Sequence, residues 1–344
     1  MDLPERIETE EQLDDLLTRP SPGLVALAGG LRGTVAMIGA GGKMGSTFAV
    51  RLSRAIREAG ADARVTAVSR FSDSSRQVEL ERRGIATVAA DVMEGAQVDA
   101  LPDADYVVYL VGRKFGTTGD EAETWATNTL PPVHVCRRYA GRPTVALSTG
   151  SVYDLSPLET GGAAESDATE PRGEYANAAV ARERLFQWAS RRFSTPVCLV
   201  RLFYANDLRY GVIRDVAESV FEGRAIDLSM GCVNVIWQGD AVDQSLRALE
   251  HAGIPARPMV VAGPEMVSVR FLAARLAGLL DREPVFANES APDALLGNAS
   301  LAAGLFGYPE VPLDRMIRWT AHWVSSGGRG FGKPTNWEVR DGRY

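Results

Sequence analysis

Residues 34–45, TVAMIGAGGKMG, decide the fold of this chain. A short apolar run ends in a glycine-rich loop, and a helix-like segment follows in which Phe48, Leu52 and Ile56 stand four apart. The loop glycines are Gly39, Gly41, Gly42 and Gly45. Without side chains, the backbone amides at a helix start can be approached by a dinucleotide diphosphate. A glycine loop alone is a weak signal, but between a strand and a helix it predicts nucleotide binding rather than a simple turn.

Strand-like and helix-like segments alternate after this loop, which predicts an α/β fold with a doubly wound parallel sheet, a Rossmann fold, and a smaller discontinuous C-terminal domain. We expect four parts: a helical extension (1–32), a dinucleotide-binding domain (33–205 with about 236–265), a substrate domain (about 206–235 with 266–326) and a tail (327–344). The tail is Gly-rich and then charged. It fits either a mobile or extended terminus or an arm held by Trp337 on a neighbouring subunit.

Composition limits the function classes. The chain has 344 residues, is 45% hydrophobic and 24% charged, and has a net charge of −7, which disfavours nucleic acid as a main partner. Its cysteines are too far apart for a disulfide framework or a zinc site, and its histidines are scattered, so no metal is expected. No run approaches ~18 apolar residues, and the N-terminus is acidic, so we expect a cytoplasmic protein with no membrane span.

The end of the second predicted strand indicates the cofactor. An acidic residue there would bind the ribose hydroxyls of NAD, but the chain has Ser69 and Arg70. Arginine suits a 2′-phosphate, and Lys43 in the glycine loop adds positive charge, so NADP is the first choice and NAD the second. Arg70 could instead be a solvated strand end. Asp91, after the third strand, is expected beside the adenine or, alternatively, in a turn. Two neighbours complete the expected cofactor contacts: Met44 and Val92.

Four features resemble, in the same order, the extended short-chain dehydrogenase/reductase family of the epimerase/dehydratase type. They are the glycine loop, the strand VALSTGSVYD (145–154), the helix EYANAAVARERLF (174–186) and the segment VNVIWQGDAVDQSLRALE (233–250). The resemblance covers about residues 33–326. It implies an NAD(P)-dependent oxidoreductase, epimerase or dehydratase that forms a homodimer through the tyrosine-bearing helix.

The resemblance also implies roles for single residues. Thr149 falls on the catalytic Ser/Thr position and Tyr175 on the catalytic tyrosine. Asn128 stands where the family keeps an asparagine that steadies the active-site helix. Val111 and Gly112 begin the loop that lies beside the nicotinamide in the family.

One departure from the family pattern concerns the reaction itself. Ala179 stands four residues after Tyr175, where the family has a lysine that holds the nicotinamide ribose and lowers the pKa of the tyrosine. A free phenol titrates near ~10, so about one in a thousand is ionised at neutral pH. Without a replacement cation, Tyr175 would be a poor base, although a neutral phenol can still donate a hydrogen bond or a proton.

Three basic residues could supply the missing charge. Lys114 is the favoured candidate because it follows a central strand at the sheet edge where ligands bind, and Arg113 beside it could instead meet an anionic substrate group. Both could also be solvated loop residues. Arg182 shares a helix face with Tyr175 but lies ~10 Å further along the axis, so we expect it in a surface or subunit-interface pair.

Polar and aromatic residues after these motifs are expected to bind a sugar-like or other polyhydroxylated carbonyl or alcohol substrate; ordinary loop and core packing is the alternative. The predicted substrate contacts are Arg113, Ser151, Tyr204, Asn206, Arg209 and Trp237. The sequence leaves reduction, epimerisation and dehydration open. The competing interpretation is a catalytically silent NAD(P)-binding sensor or partner protein, which the missing lysine favours and the retained Thr149 and Tyr175 oppose.

Overall fold

A computed structural model describes residues 3–114, 116, 118–333 and 335–343. Six residues lie outside this description: Met1, Asp2, Phe115, Thr117, Pro334 and Tyr344. Met1 and Asp2 belong to the predicted extension, and Pro334 and Tyr344 belong to the predicted tail. The strands are β1 (Gly33–Ile38), β2 (Ala63–Ser69), β3 (Ala86–Ala89), β4 (Tyr106–Tyr109), β5 (Thr144–Thr149), β6 (Ser156–Pro157), β7 (Val197–Leu202), β8 (Ala205–Asn206), β9 (Ala225–Asp227), β10 (Cys232–Val233), β11 (Ile236–Trp237), β12 (Arg257–Val261), β13 (Val267–Ser268), β14 (Val285–Ala287) and β15 (Asp293–Ala294).

Twelve α-helices are present in the described residues. They are α1 (Glu10–Thr18), α2 (Pro22–Gly30), α3 (Gly45–Glu58), α4 (Ser74–Arg82), α5 (Gly95–Asp99), α6 (Glu121–Arg138), α7 (Gly173–Phe193), α8 (Val212–Glu222), α9 (Gln238–Arg247), α10 (Val269–Leu280), α11 (Ser300–Phe306) and α12 (Leu313–Ser325). Some of them, among them α3, α6, α7 and α9, pack on the two faces of the main sheet. Short 3₁₀ turns follow β5, β6 and α9.

The main sheet has seven parallel strands in the order β12-β7-β5-β4-β1-β2-β3. The strand order reverses beside β1. β2 and β3 are added on one side of β1, and β4, β5, β7 and β12 are added on the other side. The carboxyl ends of β1 and β4 therefore border a crevice in which ligands bind in sheets of this kind. This architecture confirms the predicted doubly wound Rossmann fold, including the late strand β12.

β1 is apolar from Val35 to Ile38 because both of its faces are buried there. Val35 and Met37 belong to the core on the side of α3 and α9, whereas Ala36 and Ile38 belong to the core on the side of α6 and α7. Side chains alternate between the faces of a strand, so an uninterrupted apolar run is what two covered faces require. The strand is thereby fixed in the middle of the sheet, with its glycine loop at the edge.

A second core lies beside the sheet and holds the predicted substrate domain. It is built from α1, α8, α10 and α12, with Trp237 packed edge-on against Trp319 at a ring-centroid distance of 5.5 Å. Leu13 and Leu17 of the N-terminal extension are buried in it, so this extension is part of the core rather than a purely outer layer. The domain boundaries themselves stay a prediction.

The tail packs on its own chain, which corrects both interpretations given above. Trp337 is 7% exposed and belongs to the second core. Thr335 donates its amide (2.9 Å) and its hydroxyl (2.6 Å) to the Asp215 carboxylate, and Arg340 donates to the carbonyls of Ser229 (2.9 Å) and Asp293 (3.0 Å). A buried indole and a series of hydrogen bonds hold the segment, so it is neither a free terminus nor an arm on a neighbour.

Candidate active site

The glycine loop is shaped by contacts that leave no room for side chains. Gly39 has a φ of +93°, and a Cβ atom there would lie 2.9 Å from Val111 Cγ2. A Cβ atom on Gly45 would lie 2.5 Å from the Ala40 carbonyl oxygen. Contacts this close are not tolerated by real Cβ atoms, so glycine is required at both positions. The loop consequently lies against the end of β4 and leads directly into α3, with the Gly45 amide donating to the Gly42 carbonyl at 3.1 Å.

A cavity of about 500 Å³ runs along the carboxyl ends of β1 to β4. Its lining brings together residues that were predicted from separate strand ends. These are Gly39, Gly42, Ser69, Arg70, Asp91, Val92, Val111, Gly112, Arg113 and Lys114. The other predicted loop residues, Gly41, Lys43, Met44 and Gly45, adjoin Gly42 in the chain. The crevice thus joins the glycine loop to the loop that follows β4.

The rim beside β2 and β3 carries two arginines. Arg70 is two-thirds exposed, and its Nη1 lies 3.8 Å from the Asp91 carboxylate, which also accepts a hydrogen bond from the Met93 amide at 3.0 Å. Arg76 of α4 donates to the Gly42 carbonyl at 3.0 Å. Sequence reasoning missed Arg76, although its position in the first turn of the helix after β2 was a usable signal. Arg70 lines this rim, and Arg76 contacts Gly42, which also lines the crevice.

Arg182 lies at the inner end of the crevice, and its predicted surface role is wrong. The side chain is 4% exposed, and Nη1 donates to Asn128 Oδ1 (2.5 Å) and to the Val111 carbonyl (3.3 Å). A Cβ atom on Gly112 would lie 2.5 Å from the same nitrogen. Asn128 in turn donates to the Arg113 carbonyl at 3.2 Å. The long arginine side chain therefore reaches under the β4 loop and supports the Val111–Gly112 peptide.

Thr149 and Tyr175 lie on two elements that pack together. Thr149 ends β5, where its hydroxyl accepts a hydrogen bond from the Ser151 amide (3.2 Å) and lies 3.3 Å from the Ser151 hydroxyl. Tyr175 is in the first turn of α7 and is 7% exposed. Because α7 packs on β5 and on the 3₁₀ turn after it, both hydroxyls belong to the same end of the sheet. Their catalytic roles stay predictions.

The position of the absent lysine is filled with apolar packing. Ala179 is 0% exposed and shares a buried cluster with Val152, Tyr153 and Phe203. A Cβ atom on Gly150 would lie 2.3 Å from the Phe203 ring, so that ring fills the space beneath β5 closely. An ammonium group introduced at residue 179 would be desolvated there.

A buried ion pair lies directly behind Thr149, and sequence reasoning missed it. Arg201 of β7 binds the Glu183 carboxylate through Nε (3.1 Å) and Nη2 (2.8 Å), and Ser148 donates to the same carboxylate at 2.7 Å. The Arg201 and Glu183 side chains are 4% and 1% exposed. Arg201 also donates to the Tyr153 hydroxyl at 2.5 Å. This network joins β5, α7 and β7.

The candidate cations near Tyr175 differ in what holds them. Arg113 donates to Asp120 (2.7 Å) and to the Gly116 carbonyl (2.9 Å), so its charge is compensated locally. Lys114 Nζ lies 3.5 Å from the Thr335 carbonyl of the tail. Lys43 Nζ is 2.7 Å from the ring centroid of Tyr210, so this lysine contacts the segment that follows β8.

The predicted substrate residues are not all available to a ligand. Trp237 is 2% exposed in the second core, so its predicted contact with substrate is wrong: a ring packed on Trp319 has no free face. The Asn206 side chain donates to the Tyr204 carbonyl (2.5 Å) and accepts from the Ile213 amide (3.1 Å).

Arg209 is likewise engaged within the protein, in ion pairs with Asp207 (3.0 Å) and Asp14 (2.9 Å). It also lines a second cavity of about 350 Å³ between α8 and the tail, together with Arg214, Asp215 and Lys333. Arg209 thus stays a candidate substrate contact at this second cavity.

The described residues form neither a group of metal ligands nor a helix that could span a membrane. In the part of the chain that the structure describes, no three His, Cys, Asp or Glu side chains are grouped so that they could hold a metal ion. Among the same residues, no helix combines the length and the apolar character needed to cross a membrane.

The comparisons with known proteins agree with this geometry. The model of the NAD dependent epimerase/dehydratase family matches residues 35–215. No curated protein sequence matches the chain. The fold is similar to UDP-glucose 4-epimerase from Thermotoga maritima, solved with UDP-glucose (TM-score 0.68, 17% identity, 86% of this chain and 99% of that one).

Two further solved structures share the fold. One is the UDP-glucuronic acid 4-epimerase from Bacillus cereus in complex with UDP-glucuronic acid and NAD (TM-score 0.69, 16% identity, 86% of this chain and 99% of that one). The other is the dTDP-glucose 4,6-dehydratase from Bacillus anthracis in complex with NAD (TM-score 0.70, 14% identity, 86% and 97%).

Proposed function

Because the chain belongs to the NAD dependent epimerase/dehydratase family, we propose that it is an NADP(H)-using enzyme of this family that acts on a sugar-like or other polyhydroxylated carbonyl or alcohol substrate. The observation that supports this most directly is the crevice at the ends of β1 to β4, whose lining includes predicted cofactor residues from the ends of all four strands. Family membership favours an enzyme over the silent binding protein.

The bare glycine loop fits a dinucleotide. Gly39 and Gly45 let the loop pack closely on Val111 and Ala40 at the start of α3, and the N-terminus of a helix suits a diphosphate. Arg70, supported by Arg76, suits the 2′-phosphate that distinguishes NADP from NAD. When bound, the dinucleotide supplies hydride transfer; the chain supplies binding, orientation and proton handling. NAD is the second choice.

Tyr175 and Thr149 are the proposed polar pair at the reacting carbon. Their hydroxyls would hold the oxygen of the substrate that changes between alcohol and carbonyl, since hydrogen bonds placed where charge develops stabilise the transition state. Ser151, which contacts Thr149, orients that hydroxyl. Arg182 and Asn128 fix the Val111–Gly112 peptide, so the inner wall of the crevice is rigid where the reaction would occur.

The test combines cofactor binding with product analysis. Purified protein is titrated with NADP(H) and NAD(H), and then incubated with a panel of sugars, nucleotide sugars and hydroxy acids. We expect tighter binding of NADP(H) and conversion of a polyhydroxylated substrate, detected by chromatography because an epimerase recycles its cofactor. Bound cofactor with no conversion of any panel member would favour the silent binding protein, and no dinucleotide binding at all would reject the proposal.

A homodimer stays part of the proposal. α6 and α7 pack against each other and carry exposed large apolar side chains: Trp125 (38%), Leu130 (45%) and Trp188 (43%). Exposed apolar side chains on packed helices can form an association surface. Sedimentation of the wild type and of the Leu130→Glu variant should give a dimer and a monomer; a monomeric wild type would contradict this part.

A further inference from the structure

The three lysines of this chain are distant in the sequence and near one another in the fold. Of the 37 basic residues, 34 are arginine and three are lysine: Lys43, Lys114 and Lys333. They stand on three segments that are distant in the sequence: the glycine loop after β1, the loop after β4 and the tail after α12. The fold nevertheless brings them to one place.

One contact and one electrostatic effect indicate this proximity. Lys114 Nζ lies 3.5 Å from the carbonyl of Thr335, two residues after Lys333, so the tail brings its lysine to the β4 loop. The charges of Lys114 and Lys333 both act on Lys43 and lower its pKa, which requires that all three ammonium groups be near one another.

Tyr210 connects this cluster to Tyr175. Lys43 Nζ sits 2.7 Å from the centroid of the Tyr210 ring. Burial, Asp215 and then Tyr175 raise the pKa of Tyr210, so the two phenols are electrostatic neighbours. Lys43 of the glycine loop therefore contacts the phenol that neighbours Tyr175.

The choice of lysine is informative in a chain that otherwise uses arginine. Arginine holds its proton under all ordinary conditions and binds oxyanions through a planar fork, so it is the better residue where only positive charge is needed. Lysine alone can release its proton when it is desolvated. From this convergence we propose that Lys43 is a proton-transfer residue of the enzyme, which accepts the proton of the reacting hydroxyl held by Tyr175 and Thr149.

The electrostatic surroundings of Lys43 suit this role. Burial lowers its pKa to about 7; Asp207 and Asp215 oppose this shift, and Lys114 and Lys333 add to it. Below this value Nζ is protonated and can only donate, and above it the neutral amine can accept a proton. A base works best when its pKa is near the working pH.

Burial also lowers the pKa of Lys114, to about 8, against the charges of Glu338 and Asp215. Lys114 is nevertheless held at the tail carbonyl, and Lys43 is the lysine that contacts Tyr210.

The inference rests on the proposed function for the step itself. As the substrate alcohol is oxidised, its carbon-bound hydrogen leaves with two electrons as hydride to an oxidised nicotinamide dinucleotide. The hydroxyl proton passes to the lone pair of Lys43 Nζ, and the O–H bond electrons become the second C–O bond of the carbonyl. In the reverse direction the ammonium group returns this proton to the carbonyl oxygen.

The first experiment measures the proton on Lys43 without any turnover. The full chain is labelled with lysine carrying ¹³C at Cε, which gives three resonances that the Lys43→Arg, Lys114→Arg and Lys333→Arg variants assign. We expect the Lys43 resonance to titrate near pH 7. Titration of Lys43 near ~10 would overturn the proposal.

The second experiment compares Lys43→Arg with Lys333→Arg as the matched control. Both variants keep the charge, but only the first removes the proposed titrating group. Lys43→Arg should lower kcat about 100-fold with little change in KM, and should abolish the rise of the oxidation rate through pH 7. An unchanged pH profile in Lys43→Arg would refute proton transfer by this residue.

The two proposals fail separately. If dinucleotide binds and substrate is converted while Lys43 titrates normally, the proposed function stands and the role of Lys43 is rejected. If Lys43 titrates near pH 7 but no dinucleotide binds, its low pKa is real, but both the proposed function and the step built on it are rejected.

Discussion

Single residues define the two ends of the crevice. At the inner end, Arg182 supports the Val111–Gly112 peptide from below, and Gly112 is required because a Cβ atom would meet the guanidinium. At the outer rim, Arg70 is two-thirds exposed and loosely paired with Asp91, which leaves it available to a ligand. A buried guanidinium thus acts as support, and an exposed one as a candidate ligand.

Arg70 should determine the preference for NADP. We expect Arg70→Ala to weaken NADP binding by about 10- to 100-fold and NAD binding by less than about threefold, because a charge-assisted hydrogen bond contributes about 1.5–3 kcal/mol. Dissociation constants from fluorescence titration of the two cofactors test this. Equal losses for both would show that Arg70 does not contact a 2′-phosphate, and the exposed Arg224→Ala is a suitable control.

Restoring the family lysine should not restore the family mechanism. Ala179 is fully buried beside Phe203, so the Ala179→Lys variant would place an amine in apolar packing. We expect it to destabilise the fold by at least about 2 kcal/mol through overpacking and desolvation, with no gain in turnover. Urea denaturation and product analysis check both parts; a stable variant with raised turnover would show that this position does open to the crevice.

At the scale of elements, the buried Arg201–Glu183 pair fixes how α7 sits on the sheet. Its partners come from β7 and α7, and Ser148 of β5 adds a third element just before Thr149. Because both charges are almost fully buried, the pair needs its additional hydrogen bonds to offset desolvation. The network therefore holds the strand and the helix that carry the two proposed catalytic hydroxyls.

Breaking this pair should be costly. Glu183→Gln leaves the Arg201 guanidinium buried without a countercharge, and we expect a loss of about 3–5 kcal/mol in the free energy of unfolding. Glu222→Gln, which removes the charge from an exposed pair with Arg224, should cost less than about 1 kcal/mol. Chemical denaturation of the two variants gives the comparison; similar small losses would mean that the network is not stabilised by its charge.

Some elements were predictable from sequence and others were not. β1 and β4 were, because a strand covered on both faces shows a nearly continuous apolar run. α2 was not, since PGLVALAGG is uniformly apolar or small and shows no helical period. α8 was also missed, because it lies where polar substrate loops were expected, and its apolar face becomes meaningful only against α10 and α12.

At the scale of the whole molecule, the N-terminal extension and the C-terminal tail both pack against the rest of the chain. The N-terminal extension contributes Ser21, which binds Asp243 through its amide (3.1 Å) and hydroxyl (2.7 Å), and the buried Arg51 of α3 pairs with the same carboxylate. The C-terminal tail contributes Trp337 to the second core and Thr335 to Asp215. Both ends thus pack around the region that carries the candidate site.

Removing the tail anchor should affect stability and tail docking together. We expect Trp337→Ala to lower the free energy of unfolding by about 3–5 kcal/mol, since a buried indole is lost. It should also make the tail cleavable in limited proteolysis of the full chain. Tyr308→Ala, which removes an aromatic ring that is 76% exposed, should leave both measurements almost unchanged. A resistant tail in the Trp337 variant would show that the hydrogen bonds suffice.

The sequence by itself determined the parallel sheet, the glycine loop and the ends of β1 to β4, because apolar periodicity and the absence of side chains are local properties that constrain the backbone directly. Only the tertiary structure decided that Arg182 lies under the crevice, that Ala179 is closed by Phe203, and that three lysines from distant segments meet near Tyr210. These contacts depend on the direction and the burial of long side chains. Both are decided only when separate segments of the chain pack together.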